Sequence, residues 1–158
     1  MKMKRILYNN KILLGVITVI LGLILFLYCV KNFCFVSVSG NSMFPTLCDG
    51  EVLIGKKTFL FVDNEDIVVF KRNNNIYIKR VIAQYGDYVE VDEAEGIVYV
   101  NGKAKVVYEP NVSTKKRMIK ISQNEFFVVG DNYNDSLDSR DEKIGLIRES
   151  EIIAIICK

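Results

Sequence analysis

Ser42, Lys79 and Ser136 are three polar side chains whose settings could produce a nucleophile in a chain that contains no histidine. A serine hydroxyl attacks a carbonyl effectively only when a neighbouring base takes its proton. A lysine becomes such a base when burial disfavours its ammonium and leaves a neutral amine near neutral pH. Ser42 lies in Ser39-Gly40-Asn41-Ser42-Met43-Phe44-Pro45-Thr46-Leu47. Gly40 and Asn41 tolerate turn conformations and Pro45 fixes φ, so this stretch is a shaped loop that presents one hydroxyl beside apolar Met43 and Leu47.

Lys79 falls in Ile76-Tyr77-Ile78-Lys79-Arg80-Val81-Ile82, where alternation puts Tyr77, Lys79 and Val81 on one face of a strand. If that face is inward, Lys79 is a sensible base for Ser42; if the strand is an edge, the lysine snorkels to solvent, and periodicity alone leaves both open. The third stretch, Gly130 to Asp141, is dense in turn formers and follows an apolar strand. Asp131, Asp135 and Glu142 fall at calcium-loop positions, but Tyr133 and Ser136 occupy places where that loop needs an oxygen ligand and a glycine. What remains is a structural Asx-rich turn, or a loop in which Ser136 orients Lys79 and Asp138 pairs with Arg140.

The elements that must position these groups are short strands. Phe35–Val38, Glu51–Gly55, Asp66–Phe70, Ile76–Ile82, Tyr88–Val91, Ile97–Val100, Ala104–Tyr108, Glu125–Val129 and Ile152–Ile156 have strand texture. Turn signals at Asn73-Asn74-Asn75 and Asn101-Gly102 join some of them into hairpins, and 111–116 reads as a polar surface loop. Many strands at close spacing without an amphipathic helix predict a mainly β, compact antiparallel domain.

Ahead of it, Ile12 to Val30 is a run of 19 residues without a charge. At about 1.5 Å per residue such a helix crosses a hydrocarbon core roughly 30 Å thick. A cleavable leader would have a shorter apolar core followed by small residues, whereas Tyr28-Cys29-Val30-Lys31-Asn32-Phe33 follows here, so the run is expected to be an uncleaved anchor. Lys2, Lys4, Arg5 and Lys11 precede it without an acid, which predicts a cytoplasmic segment 1–11, a membrane anchor 12–30 and an extracytoplasmic domain 31–158.

Beyond those four cations the chain carries 17 basic and 19 acidic residues, a balance that does not suggest nucleic-acid binding. Without histidine, a catalytic triad of the serine–histidine type is excluded, a zinc site is disfavoured, and neither metal nor cofactor is expected. Cys29, Cys34, Cys48 and Cys157 include no C-x-x-C pair. They are read as small buried or lipid-facing residues in preference to a Cys48–Cys157 disulfide.

Taken together, the three stretches resemble the boxes of the bacterial type I signal peptidases of the serine–lysine kind. Ser42-Met43-Phe44-Pro45-Thr46-Leu47 is similar to the nucleophile box, Tyr77-Ile78-Lys79-Arg80-Val81 to the general-base box, and Gly130-Asp131-Asn132 through Ser136, Asp138, Ser139 and Arg140 to the third box. Asp66–Phe70 is similar to the strand between the first two. The resemblance implies a β catalytic domain of signal-peptidase type behind one transmembrane helix, cleaving secretory preproteins after small residues at the −1 and −3 positions. It implies that Ser42 acylates, that Lys79 is the base, that Ser136, Asp138 and Arg140 support them, and that the Ser42 amide forms part of an oxyanion hole. Val36, Val38, Met43, Tyr77 and Ile78 are then expected to wall the substrate pockets.

Three departures accompany the resemblance. Ala83-Gln84-Tyr85-Gly86-Asp87 lacks a glycine and a proline of the turn that usually follows the base, Gly40 stands where some members carry a second oxyanion hydroxyl, and no large inserted β domain is present. The expected partners are preproteins and the lipid bilayer. The competing readings are a processing enzyme of the same chemistry with a narrow clientele, and a silent membrane-anchored assembly factor that keeps the fold.

Overall fold

The computed structural model describes residues 2–110 and 115–157, with side chains described from residue 13 onward. The chain divides into two units, residues 1–33 and 34–158.

The first unit is helix α1 (Lys2–Asn32), which is longer at both ends than the uncharged run that defines it in sequence. Residues Leu13–Asn32 are long and apolar enough to cross a membrane. Apolar side chains surround that segment on all faces, as expected where lipid is the solvent. Thr18, a hydroxyl within it, donates to the Leu14 carbonyl at 2.9 Å, so its donor is satisfied within the helix.

The second unit is built from β1 (Phe33–Ser37), β2 (Val52–Lys56), β3 (Ile67–Arg72), β4 (Asn75–Ala83), β5 (Tyr88–Asp92), β6 (Ile97–Val100), β7 (Lys103–Val107), β8 (Lys116–Lys120), β9 (Glu125–Val129), β10 (Ile147–Arg148) and β11 (Ile152–Ile156). A seven-stranded sheet has the order β1-β2-β11-β3-β4-β9-β10, and a four-stranded sheet the order β7-β6-β5-β8. The β3–β4 hairpin runs antiparallel from Ile67 opposite Arg80 to Arg72 opposite Asn75. Its turn uses Asn73 and Asn74, both at positive φ, which asparagine tolerates better than most residues.

Three apolar clusters hold this unit together. One joins the two sheets, setting Ile82, Phe127 and Val129 against Val89, Val91, Val98 and Ile121. A second contains Val68, Phe70, Val81, Val128 and Ile147. The third packs Met43 and Leu47 of the Ser42 loop against Val38, Ile67, Val69 and Ala154.

Two elements differ from the sequence expectation. The polar stretch 111–116 was expected to be loop; residues 111–114 lie outside the described residues, and Lys116 opens β8, which pairs with β5 along its length. Its cations suit that place because Lys116 Nζ meets Glu90 and Asp92 of β5 at 2.6 and 3.4 Å. The two-residue β10 was not foreseen either; it lies on β9 through Ile147 opposite Phe126. The cysteines are free, and Cys48 and Cys157 are exposed, which corrects the expectation that all four are buried or lipid-facing.

Candidate active site

The Ser42 loop is fixed from beneath. Met43 is 1% and Leu47 5% exposed, and burying two such side chains contributes roughly 1.5–3 kcal/mol each. The loop closes on itself through Phe44 N donating to Asn41 O and Leu47 N donating to Met43 O, both 3.0 Å, with a cis peptide at Phe44-Pro45. Asp49 accepts the Gly40 amide at 2.8 Å, so that amide is already engaged. The Ser42 amide donates to no acceptor among the described residues.

Lys79 extends from β4, opposite Val68 of β3, and is 3% exposed. The face carrying Tyr77, Lys79 and Val81 is thus inward at the lysine, which separates the two sequence readings of this strand. Its Nζ lies 2.5 Å from Ser42 Oγ. Burial pulls the Lys79 pKa down to about 8; Asp138 opposes that shift, Arg140 adds to it, and Asp131 and Asp135 oppose it.

The third stretch arrives from β9. Asp138 is fully buried and gathers donors: the Gly130 amide at 3.0 Å, the Ser136 hydroxyl at 2.7 Å, and Arg140 through Nε and Nη2, each at 2.8 Å. Ser136 therefore meets the carboxylate that acts on Lys79; its own hydroxyl bond is to Asp138. Ser139 extends the sheet locally, exchanging its amide and hydroxyl with the backbone of Val128.

Two connections tie this loop to the other stretches, and sequence reasoning missed both. Asn132 donates its amide to Ser42 O at 3.0 Å and its side chain to Asn41 O at 3.1 Å. Arg80, pointing opposite to Lys79, grips Asp131 through Nε at 2.8 Å and Nη2 at 2.6 Å and donates to Glu65 O through Nη1 at 2.8 Å. That carboxylate holds the Arg80 guanidinium above its ordinary pKa. The only available sequence signal was the alternation that sets Arg80 apart from Lys79, and alternation does not name a partner 51 residues away.

Gly130 is the closest crossing of these segments. A Cβ there would stand 2.2 Å from Ser136 Oγ and 2.4 Å from Ser42 O. The altered turn after the base is closed by Asp87, which accepts the Gln84 amide at 2.9 Å, while Gly86 adopts φ +91°.

Beside Ser42 and Lys79 opens a cavity of about 490 Å³ whose walls include Val36, Val38, Met43, Tyr77 and Ile78. All five expected wall residues thus share one cavity. Val69 of β3, within the Asp66–Phe70 stretch, and Ile153 of β11 also line it; Ile153 adjoins none of the three boxes, and neither was singled out as a wall residue from the sequence.

A serine hydroxyl set against a buried amine is an arrangement of the kind serine hydrolases use to attack a carbonyl. A family model described as signal peptidase, peptidase S26, matches residues 10–156. The chain is 33% identical over 157 residues to signal peptidase I S of Bacillus subtilis (strain 168), covering 87% of this chain and 80% of that protein. It is 34% identical over 168 residues to signal peptidase I V of the same organism, covering 91% of this chain and 94% of the other. A solved signal peptidase I from Enterococcus faecalis V583 aligns with 63% of this chain and 100% of its own at 21% identity, with a TM-score of 0.48. The chain belongs to the signal peptidase family, peptidase S26, and is a serine peptidase.

Proposed function

We propose that the chain removes signal peptides from secretory preproteins, with Ser42 as nucleophile and Lys79 as general base. The observation that carries this is the 2.5 Å approach of Lys79 Nζ to Ser42 Oγ in a site where the lysine is buried and its pKa falls to about 8. In the neutral-amine state the hydroxyl is the donor. Lys79 takes that proton as Ser42 Oγ attacks the scissile carbonyl, forming the tetrahedral intermediate. The Ser42 amide, which has no protein acceptor among the described residues, stabilises the oxyanion. The Lys79 ammonium then protonates the departing amine, and the amine form activates the water that hydrolyses the acyl-enzyme.

Substrate enters as an extended strand. The cavity is bordered by residues of β1 and by Ile76 to Lys79 of β4, and the registered β4–β9 pairing begins only at Arg80. A peptide laid there finds the edge of β4 that faces away from β3 without a registered strand partner at these residues, and apolar walls that favour small side chains next to the scissile bond by excluding larger ones. Asp138 and Arg140 hold the third loop against the base, and Ser136 acts on Lys79 through Asp138. Residues 12–30 anchor the protein in the cell membrane with 1–11 in the cytoplasm and 31–158 outside, as the cations ahead of the apolar run favour.

The test is cleavage of a preprotein with an Ala-x-Ala site by the detergent-solubilised full chain, beside Ser42→Ala and Lys79→Ala. Cleavage at that site by wild type, and by neither folded variant, is the expected result. Undiminished cleavage by Lys79→Ala would overturn the assignment of the base. A folded wild type that spares general preproteins would shift the reading to a narrow clientele.

A further inference from the structure

Arg140 is held from three directions, and two of them come from outside its own loop. Its guanidinium pairs with Asp138, its central carbon sits 4.6 Å over the ring centroid of Tyr108, and its carbonyl accepts from Arg117 Nη2. Arg117 lies in β8 of the four-stranded sheet, and Tyr108 directly follows β7 of the same sheet.

Tyr108 is itself fixed. Its amide donates to Gly96 O at 2.8 Å, and Gly96 takes φ +66° in the turn before β6. A Cβ on Gly96 would stand 2.2 Å from Tyr108 O, so only glycine allows that approach. The next residue, Glu109, donates its amide to Asn134 Oδ1 of the third loop at 2.9 Å. One short segment thus spans from the β5–β6 turn to the loop that carries Ser136, Asp138 and Arg140.

We propose that Tyr108 is a positioning residue for the Ser42–Lys79 pair: its ring holds the Arg140 guanidinium against Asp138, keeping that carboxylate matched where it faces the lysine. The inference rests on the roles given above to Ser42 and Lys79. A guanidinium on an aromatic face is attracted to it and loses that hold when the ring is replaced by an aliphatic chain. The charges acting on Lys79 are Asp138, Asp131 and Asp135, which favour its ammonium, and Arg140, which opposes it. Around Tyr108 stand Arg140, Arg117, Glu93 and Asp138. When Arg140 loosens, the Asp138 charge that acts on Lys79 is less compensated, and the lysine retains its proton to higher pH.

The experiment measures kcat and KM across pH for wild type, Ser42→Ala, Tyr108→Leu, Tyr108→Met and Tyr108→Phe, with the Lys79 amine also titrated by NMR in lysine-labelled protein. Tyr108→Leu and Tyr108→Met are expected to move the acidic limb and the Lys79 titration upward by about 0.5–1 unit, with kcat near neutral pH falling roughly 3- to 10-fold. KM stays within about twofold, and the loss closes at alkaline pH. Tyr108→Phe keeps the ring and restores the wild-type limb. A folded Tyr108→Leu whose limb and Lys79 titration stay in place overturns the proposal. So does failure of both aliphatic variants to fold, because the ring is then structural. Activity in Ser42→Ala would instead refute the nucleophile assignment, a result the Lys79 titration does not depend on.

Discussion

At the scale of single residues, Lys79 bears the largest conflict between stability and chemistry. Its pKa falls from 10.5 to about 8 on folding, so the unfolded chain holds a proton that the folded one releases between those values. Stability contributed by this group therefore rises with pH from about 8 to 10.5, and its penalty is fully present below 8. Lys79→Met should accordingly raise stability at pH 7 by roughly 2–3 kcal/mol, a gain that shrinks as denaturation is repeated toward pH 10.5. Equal gain at both pH values would show that the lysine carries no folding penalty. If Lys79 is the base, as proposed above, the same shift sets the reaction's pH dependence: kcat/KM should rise with a single proton's slope and a midpoint near 8, and a midpoint near 10.5 would mean the site does not desolvate the amine. Ser136 stands one hydrogen bond further out, against Asp138. Its hydroxyl is one of several donors to Asp138, so Ser136→Ala leaves that carboxylate bonded to Gly130 and Arg140 and should lower kcat by about 10-fold without abolishing it. Unchanged kcat in single-turnover assays would remove Ser136 from the site.

At the scale of elements, the site is three segments brought to one point, and Gly130 is where they cross. Gly130→Ala places a methyl group against Ser136 Oγ and the Ser42 carbonyl, and backbone on the Ser42 side cannot swing away as a long side chain would. The expected result is at least a 100-fold loss of kcat/KM with an intact far-ultraviolet CD spectrum, since a misplacement of about 1 Å costs that much. Near-wild-type turnover would mean the crossing is looser than it stands here. The sequence made the strands legible wherever burial follows an apolar run, as in Ile67–Arg72 and Glu125–Val129, because there the pattern and the physical cause coincide. It left β8 illegible, because Lys116-Arg117-Met118-Ile119-Lys120 is stabilised by acids on β5 that no local pattern announces. The same reason hid Arg80–Asp131 and Asn132–Ser42. Residue types and spacing nominate groups for chemistry, while the partners that hold those groups lie far along the chain and are set by topology.

At the scale of the whole molecule, the two units differ in where their apolar residues go. The three apolar clusters draw their residues from 34–156, so the β unit carries its own core, while α1 contributes a membrane-length apolar segment. A fragment spanning 34–158 is therefore expected to fold and to cleave a short soluble peptide with kcat/KM within about threefold of the full chain in detergent. For a preprotein embedded in vesicles the comparison should differ. If 12–30 is the anchor proposed above, it confines enzyme and cleavage site to one interface and raises their effective concentration, so the fragment should lose about 10²-fold or more there. The ratio of the two losses separates delivery from folding. If removing the helix slows both substrates equally, it is supporting the β unit; if it slows only the embedded one, the helix acts by bringing the hydroxyl of Ser42 to a substrate that also lives in the bilayer.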